Sequence, residues 1–153
     1  MEEIYLSVVI PVYNEEESLD NLSRRLMPVL ESLNKPFEVI YCNDGSSDKS
    51  LEILKTLQKK HPHVVRIIDL LGNHGQHMAI MAAFEQSRGA VIINLDADLQ
   101  NPPEEIPKLL ECYEAGHDMV GSYRLQRKDH ALRHYGSRFA NWLRGKITTL
   151  HMR

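Results

Sequence analysis

The sequence predicts an α/β fold in which a doubly wound, mostly parallel sheet is flanked by helices. Two observations support this class. Short runs of apolar and β-branched residues alternate with segments whose apolar residues recur at helical spacing. Regular strand–helix alternation with right-handed crossovers is typical of parallel sheets. The chain has no repeat, linker or low-complexity segment, so we predict one domain over residues 1–153.

Local signals mark where each predicted element begins and ends. In chain order the elements are strand 5–12, helix 17–33, strand 37–42, helix 48–60, strand 64–69, helix 77–88, strand 90–95, helix 103–115 and strand 118–122. Pro28 is expected to kink or split the first helix because proline lacks an amide hydrogen. Residues 34–36, Asn-Lys-Pro, are expected to end the first helix and lead into the second strand. Residues 46–48 offer N-caps for the second helix, and Gly89 offers a C-cap for the third.

The charge is distributed unevenly along a chain of ordinary composition. Hydrophobic residues make up 42% and charged residues 25%, which is usual for a globular protein. Residues 124–153 contain eight Lys or Arg and one acid, a net charge of +7, so residues 1–123 carry −10 of the total of −3. We predict a basic helical tail over 124–153 that faces a membrane surface, a nucleic acid or a phosphate-bearing substrate. A solvated helix face is the alternative.

Cysteine usage and the termini bear on the cellular setting. Cys42 and Cys112 are too few for a disulfide framework and lack metal-site spacing, which favours a reducing, cytoplasmic setting. Met1, Glu2 and Glu3 lead directly into a predicted strand, so we expect no secretory signal. No apolar stretch approaches the roughly 20 residues that span a bilayer. We expect the chain as given to be soluble.

Two carboxylates, those of Asp96 and Asp98, follow the fourth predicted strand. In open α/β sheets ligands bind outside the carboxyl ends of the strands. Residues i and i+2 of an extended backbone share a face, so this pair, with the amide oxygen of Gln100, suits Mg²⁺ or Mn²⁺ that also binds phosphates. An acidic pair alone is a weak signal. The alternative is a turn and helix cap formed with residues 101–105.

Polar residues also follow the first two predicted strands. Residues 11–18 contain no glycine, which argues against a dinucleotide fold and against a P-loop. Tyr13, Asn14 and Glu15 have the chemistry to stack on, or hydrogen-bond, a base or ribose. Asp44 would share the sheet edge with Glu15 and Asp96. Such a cluster of acids usually needs a cation or a polar ligand to be tolerated.

The third predicted loop contains His74 and His77, whose spacing is loosely compatible with a pair of metal ligands. No thiolate or acid accompanies them locally, so we do not predict a zinc site. A loop and helix N-terminus that line the same crevice is the better interpretation of Gly75, Gln76 and His77.

Taken together, four motifs in this order resemble the family 2 glycosyltransferases with the GT-A fold, in which a Rossmann-like half carries the donor site. The motifs are Val9-Ile10-Pro11-Val12-Tyr13-Asn14-Glu15-Glu16, Asn43-Asp44-Gly45-Ser46-Ser47-Asp48, Gly75-Gln76-His77 and Asp96-Ala97-Asp98-Leu99-Gln100. The continuation from Asp98 to Glu104 is similar to the branch that uses polyprenyl phosphates, which includes the dolichol-phosphate mannosyltransferases and bacterial undecaprenyl-phosphate sugar transferases. Gly75-Gln76-His77 and residues 101–107 look most like the undecaprenyl-phosphate 4-deoxy-4-formamido-L-arabinose transferases. The resemblance covers residues 5–145 and implies an incomplete GT-A catalytic domain.

The resemblance also implies a role for individual residues. The nucleotide-sugar would be held by Pro11, Tyr13, Asn14, Glu15, Asp44, Gln76, Asp96, Ala97 and Asp98. Mg²⁺ or Mn²⁺ would be held by Asp96, Asp98 and Gln100. Asp98 would be the catalytic carboxylate nearest the chemistry, without a dedicated base. The acceptor phosphate would be held by Arg124, Arg127 and Arg133, because arginine offers bidentate donors to phosphate.

The expected reaction is inverting transfer of a sugar from a nucleotide-diphosphate sugar, UDP-linked, to a polyprenyl phosphate. This acceptor is already anionic, so orientation and charge neutralisation would suffice. The parent protein would work at the cytoplasmic face of a membrane, with no nucleic-acid partner, and an oligomer is compatible with this picture. The alternatives are a family 2 transferase with a saccharide or protein acceptor, and a nucleotide-sugar-binding fragment without turnover.

Overall fold

The computed structural model of the chain describes residues 3–121. The elements are β1 (Leu6–Val12), α1 (Leu19–Ser32), β2 (Phe37–Asn43), α2 (Ser50–Lys60), β3 (Val65–Asp69), α3 (Gln76–Glu85), β4 (Val91–Asn94) and α4 (Ile106–Glu114), with a short 3-10 turn at Pro103–Glu105. This alternation confirms the predicted α/β class. Within the described range no helix is both long and apolar enough to cross a membrane.

The four strands form one parallel sheet in the order β3-β2-β1-β4. β1 and β2 lie inside the sheet and are buried almost throughout, which explains their nearly continuous apolar sequences. The chain moves outward from β1 to β3 and then returns to the other side of β1 with β4. The strand order therefore reverses between β1 and β4, and in this class of sheet a ligand crevice opens at such a point.

An apolar cluster lies on each face of the sheet. The larger one joins Val8 and Ile10 of β1 to the buried faces of α1, α2 and α4. The smaller one joins Val9 of β1 and Ile40 and Cys42 of β2 to Ala79 and Ala83 of α3. The methyl side chains of these two alanines allow α3 to lie close to the strands. Helices cover both faces, as expected of a doubly wound sheet.

Four details differ from the sequence prediction, the last of which concerns Gly89. Residues 118–121 do not form a strand, and the rest of that predicted strand lies outside the described residues. Pro28 does not split α1, because a buried face that includes Leu22, Leu26 and Leu30 holds the helix together across the lost hydrogen bond. α2 begins at Ser50 with Lys49 as its N-cap, so residues 46–48 precede the cap.

Gly89 is not the C-cap of α3, which ends at Glu85 with Gln86 in the cap position. Gly89 instead lies against β1, where its N–H donates to Ser7 Oγ at 2.9 Å. A Cβ at this position would lie 2.5 Å from the backbone nitrogen of Ser7. Glycine is needed here for close approach to the strand, and this reason does not show in the sequence pattern.

A buried carboxylate joins the amino ends of the strands. Glu38 of β2 is fully buried and lies beside Ser7 of β1. Its carboxylate accepts from Ser7 Oγ at 2.7 Å, from the Arg66 guanidinium at 3.0 Å, and from the Arg88 guanidinium at 2.7 Å and backbone N–H at 2.8 Å. Burial raises the pKa of Glu38, but these donors outweigh it and hold that pKa below its ordinary value. We call this group the Glu38 clamp.

Candidate functional site

The loops that follow β1 to β4 meet at the carboxyl edge of the sheet and enclose a cavity of about 350 Å³. It is lined by Pro11, Val12, Tyr13, Glu15, Asp44, Asn73, Gly75, Gln76, Asp96, Ala97 and Asp98. Among the described residues the lining has four carboxylates and neither lysine nor arginine. It is therefore an acidic pocket at the point where the strand order reverses.

The structure brings eight of the nine residues predicted to hold the nucleotide-sugar to this pocket. They are Pro11, Tyr13, Glu15, Asp44, Gln76, Asp96, Ala97 and Asp98. Asn14 and Gln100 do not line it. Val12 and Asn73 do, although neither was predicted to bind a ligand: Val12 stands within the first motif, and Asn73 precedes the third. Arg124, Arg127 and Arg133, and the predicted basic tail over 124–153, lie outside the described residues, so their roles stay predictions.

Asp44 is buried at the end of β2 and is 2% exposed. Its two oxygens accept from the backbone N–H groups of His74, at 2.7 Å, and Gly75, at 2.9 Å. These donors explain how a carboxylate is tolerated at this position. A carboxylate has about four lone-pair sites, so Asp44 can still accept a hydrogen bond from a ligand in the pocket.

Gly45 fixes the second loop against the third. Its φ is +67°, in the left-handed region. A Cβ on Gly45 would lie 2.5 Å from the carbonyl carbon of Gly72 and 2.7 Å from the backbone nitrogen of Asn73. Because Asn73 lines the pocket and Gly45 follows Asp44, this close contact sets the distance between two walls of the site.

The substitution Gly45→Ala is expected to destabilise the protein by about 2 kcal/mol, since it adds left-handed strain to a backbone clash. Gly72→Ala is the matched control, because a Cβ at Gly72 meets nothing within 4 Å and its φ is not positive. Urea denaturation of both variants measures the difference. Equal stabilities of the two variants would contradict the close packing described here.

The acidic pair lies in a turn that orients both side chains. Asp96 accepts from Gln76 Nε2 at 2.9 Å and from Asn101 Nδ2 at 3.3 Å. Asp98 is exposed and accepts from the backbone N–H of Gln100 at 2.9 Å. Leu99, between Asp98 and Gln100, has a φ of +60°, which is unusual for a leucine. The turn and the helix start proposed as the alternative are both present, and they position the carboxylates in the pocket.

The loop that follows the acidic pair is fastened to α1. The Arg25 guanidinium forms a two-pronged ion pair with Glu104, with Nε to Oε1 at 2.9 Å and a second nitrogen to Oε2 at 2.7 Å. Pro103 and Ile106 beside Glu104 are buried. Two-pronged pairs of this kind fix direction as well as distance. The pocket residues Asp96 and Asp98 are thus followed by an anchored segment.

The carboxylates fit a hard divalent cation that is completed by a ligand. No cluster of three or more His, Cys, Asp or Glu side chains with metal-binding geometry occurs in residues 3–121. Mg²⁺ is commonly held by only one or two carboxylates together with substrate phosphates. Asp96 and Asp98 supply two carboxylates in one pocket, so the donor set matches this mode of binding.

The start of α3 contributes a second kind of group. Gly75 and Gln76 line the pocket, so the helix begins at its wall. The N–H of Gly75 donates to Asp44 and that of Met78 to Gly75 O, so the first-turn donors that, with the helix dipole, favour phosphate are those of Gln76 and His77.

At the end of β2, next to Asn43 and Asp44, burial raises the pKa of the Cys42 thiol to about 11, with Asp44 and Asp69 adding to the shift. This thiol is protonated and unreactive at neutral pH.

Comparisons with known proteins agree with this architecture. The model of the family described as glycosyl transferase family 2 matches residues 7–152. The undecaprenyl-phosphate 4-deoxy-4-formamido-L-arabinose transferase of Pseudomonas paraeruginosa is 52% identical over 136 residues, which cover 89% of this chain and 40% of that protein. The same-named transferase of Shewanella sediminis is 49% identical over 149 residues, 97% of this chain and 45% of that protein. The chain therefore spans less than half the length of these relatives.

Solved structures share the fold at lower identity. Staphylococcus aureus TarS 1-349 in complex with UDP-GlcNAc is 22% identical with a TM-score of 0.58, over 82% of this chain and 39% of that one. The mannosyltransferase PcManGT of Pyrobaculum calidifontis, in complex with GDP-Man and Mn²⁺, is 18% identical with a TM-score of 0.62, over 78% and 34%. These likenesses confirm the predicted GT-A-type fold.

Proposed function

Because the chain belongs to glycosyl transferase family 2, we propose that it binds a nucleotide-diphosphate sugar in the acidic pocket and transfers the sugar, with inversion, to a polyprenyl phosphate. The proposal that the nucleotide-sugar binds here rests on the pocket itself, which lies at the point where the strand order reverses. The acceptor half is supported by relatives about 50% identical that are named for undecaprenyl phosphate.

The charge of the pocket supports a divalent cation as cofactor. A diphosphate would meet the carboxylates of Glu15, Asp44, Asp96 and Asp98 with no basic side chain among the described lining residues. Like charges at such short range repel strongly in a partly desolvated site. Asp96 and Asp98 would hold Mg²⁺ or Mn²⁺, with Gln100 as the predicted third ligand. When bound, the cation neutralises charge that develops on the departing diphosphate.

The remaining lining residues suit the other parts of a nucleotide. Tyr13 is half exposed at the wall of the pocket, so its ring has a free face on which a base can stack. Asp44 has oxygen lone pairs left to accept from a base N–H, and the first turn of α3 lies where it can donate to phosphate oxygens. A UDP-linked donor is our first choice.

The acceptor chemistry needs no strong base. A polyprenyl phosphate carries its negative charge at neutral pH, so the protein has to hold it in line with the anomeric carbon and balance its charge. Asp98, exposed at the edge of the pocket, is the carboxylate we place nearest the reacting atoms. Arg124, Arg127 and Arg133 are proposed to hold the acceptor phosphate, and the parent protein to work at the cytoplasmic face of a membrane.

Titration calorimetry of the full chain with UDP, with and without Mn²⁺, tests the donor site. We expect UDP to bind at least about tenfold more tightly with Mn²⁺ than with a chelator present, since the cation offsets the four carboxylates. Equal affinity in both conditions would contradict the proposed cofactor. If neither UDP nor GDP bound under either condition, the donor proposal would be wrong.

Transfer is tested separately with a labelled UDP-sugar and a short polyprenyl phosphate. A labelled lipid product supports the proposed acceptor. Labelling of an added saccharide or protein, with the lipid unlabelled, would favour the other acceptor class. Nucleotide binding without any labelled product would reduce the function of this chain to donor binding.

A further inference from the structure

The loops after β1 and β2 are joined by an unusually regular set of hydrogen bonds. Three consecutive backbone N–H groups of the first loop donate to two side chains of the second loop and to Ser50, the first residue of α2. The pairs are Asn14 to Ser46 Oγ at 3.0 Å, Glu15 to Ser50 Oγ at 2.8 Å and Glu16 to Asp48 Oδ2 at 3.1 Å. The first loop therefore has no backbone donor left over between residues 14 and 16.

The second loop returns these bonds to side chains of the first. The backbone N–H of Ser47 donates to Asn14 Oδ1 at 2.8 Å, and its hydroxyl donates to the same oxygen at 3.3 Å. The backbone N–H of Lys49 donates to Glu16 Oε2 at 3.0 Å. We call these six hydrogen bonds the loop latch. The latch is reciprocal, so neither loop can move far without the other.

Asn14 suits its position in two ways. Its φ is +55°, in the left-handed region that asparagine adopts more readily than most residues. Its carboxamide oxygen is turned to Ser47 and accepts two hydrogen bonds there. Both properties serve the contact between the loops, and Asn14 does not line the pocket.

The residues on either side of Asn14 line the pocket, whereas Asn14 itself is bonded to the second loop. Tyr13 and Glu15 line the pocket, whereas Asn14 and Glu16 are bonded to the second loop. The Glu15 carboxylate is further oriented by the Ser18 hydroxyl, which donates to Oε2 at 2.6 Å. Alternate residues of one short segment thus serve two purposes, and the fixed residues determine where the pocket residues lie.

We infer that Asn14 is a positioning residue: by accepting from Ser47, it holds Tyr13 and Glu15 in the pocket, and it makes no contact with the nucleotide itself. The inference rests on the proposed function of the pocket and departs from the direct nucleotide contact that the family resemblance implies for Asn14. Exposed loops open at low free energy, so losing latch bonds populates an open form, and nucleotide affinity falls by the fraction of molecules that leave the closed form.

Three variants of the full chain separate positioning from direct contact. Asn14→Gly keeps the left-handed backbone but removes the acceptor. Ser50→Ala breaks the latch at a residue that does not line the pocket. Asn14→Asp keeps an acceptor oxygen for Ser47. The matched control is Thr56→Ala, which removes a hydroxyl that donates to Glu52 O on the exposed face of α2.

Two measurements are made on each variant: UDP affinity with Mn²⁺ by calorimetry, and amide hydrogen exchange of residues 13–16 without nucleotide. For Asn14→Gly and Ser50→Ala we expect affinity to fall, and exchange to quicken, by about twofold to threefold each, because a lost hydrogen bond changes the opening equilibrium by about threefold to tenfold and that change divides between the two measurements. Asn14→Asp is expected to restore most of both properties. Thr56→Ala is expected to change neither.

Asn14→Gly with weaker UDP binding but unchanged exchange would show direct nucleotide contact and overturn the inference. Faster exchange with unchanged UDP affinity would overturn it as well, because the latch would then not position the pocket residues. A wild-type chain that binds neither UDP nor GDP would refute the proposed function, and with it this inference. The wild-type titration therefore separates the two failures.

Discussion

Replacing Asp98 with alanine is expected to weaken Mn²⁺-dependent UDP binding by at least about 100-fold. Residues that merely support a metal ligand are typically worth about 10-fold to 100-fold in metal affinity, so loss of a direct carboxylate ligand should exceed that range. The physical reason is charge: the variant keeps the pocket but loses one of the two carboxylates that follow β4. Calorimetry with UDP at fixed Mn²⁺ measures the loss.

Two further variants interpret that result. Asp98→Asn retains an oxygen that accepts from the Gln100 N–H, so it keeps the turn while removing the charge. Glu52→Gln removes one negative charge from the exposed surface of α2, outside the pocket, and is expected to bind UDP as the wild type does. Asp98→Ala with wild-type affinity and wild-type Mn²⁺ dependence would remove Asp98 from the proposed site.

The largest effect on stability is expected at the Glu38 clamp. Glu38→Gln keeps the size of the side chain but turns an amide NH₂ toward hydrogen-bond donors. Breaking a buried ion pair typically costs about 3–5 kcal/mol, and we expect about 3 kcal/mol because Arg66 and Arg88 are partly exposed and can be solvated. Urea denaturation at neutral pH measures this difference. The control Glu105→Gln breaks an exposed pair with Lys108 and is expected to change stability little.

The pH dependence of that difference has a definite sign. The pKa of Glu38 in the folded protein lies below its ordinary value of 4.5, so the clamp contributes its full stability above pH 4.5. The contribution is lost as the pH falls through the folded pKa. The gap in unfolding free energy between wild type and Glu38→Gln is expected to be constant between pH 7 and 5 and to narrow below. A gap that widens in acid would contradict the assigned charge state.

The carboxyl-edge pocket could be foreseen because it depends on local rules. Strand periodicity locates the end of each strand, and parallel strands deliver Glu15, Asp44 and Asp96 to one edge whatever the details of packing. The identities of the wall residues therefore followed from position along the chain. Val12 was not predicted because an apolar residue in a strand is expected in the core, and Asn73 because asparagine is common in loops for reasons of turn chemistry alone.

The contacts between loops could not be foreseen, because they depend on register. Val12 pairs with Asn43, and this alignment, together with the paths of the two loops, brings Asn14 to Ser47. The Glu38 clamp has the same origin, since the arginines that satisfy it lie 28 and 50 residues further along the chain. A glutamate inside an apolar strand is a sequence anomaly whose explanation is visible only in three dimensions.

The Glu38 clamp lies at the amino ends of the strands, and the acidic pocket lies at their carboxyl ends. This separation lets folding and donor preference be selected independently. Tyr13, Asn73 and Gln76 are exposed wall residues with no contact to the clamp, so a change of base or sugar can be explored there against an intact scaffold. For directed evolution, a library restricted to these three positions would consist largely of folded members. Its survivors would report on ligand choice, and at Gln76, which donates to Asp96, on cation binding as well.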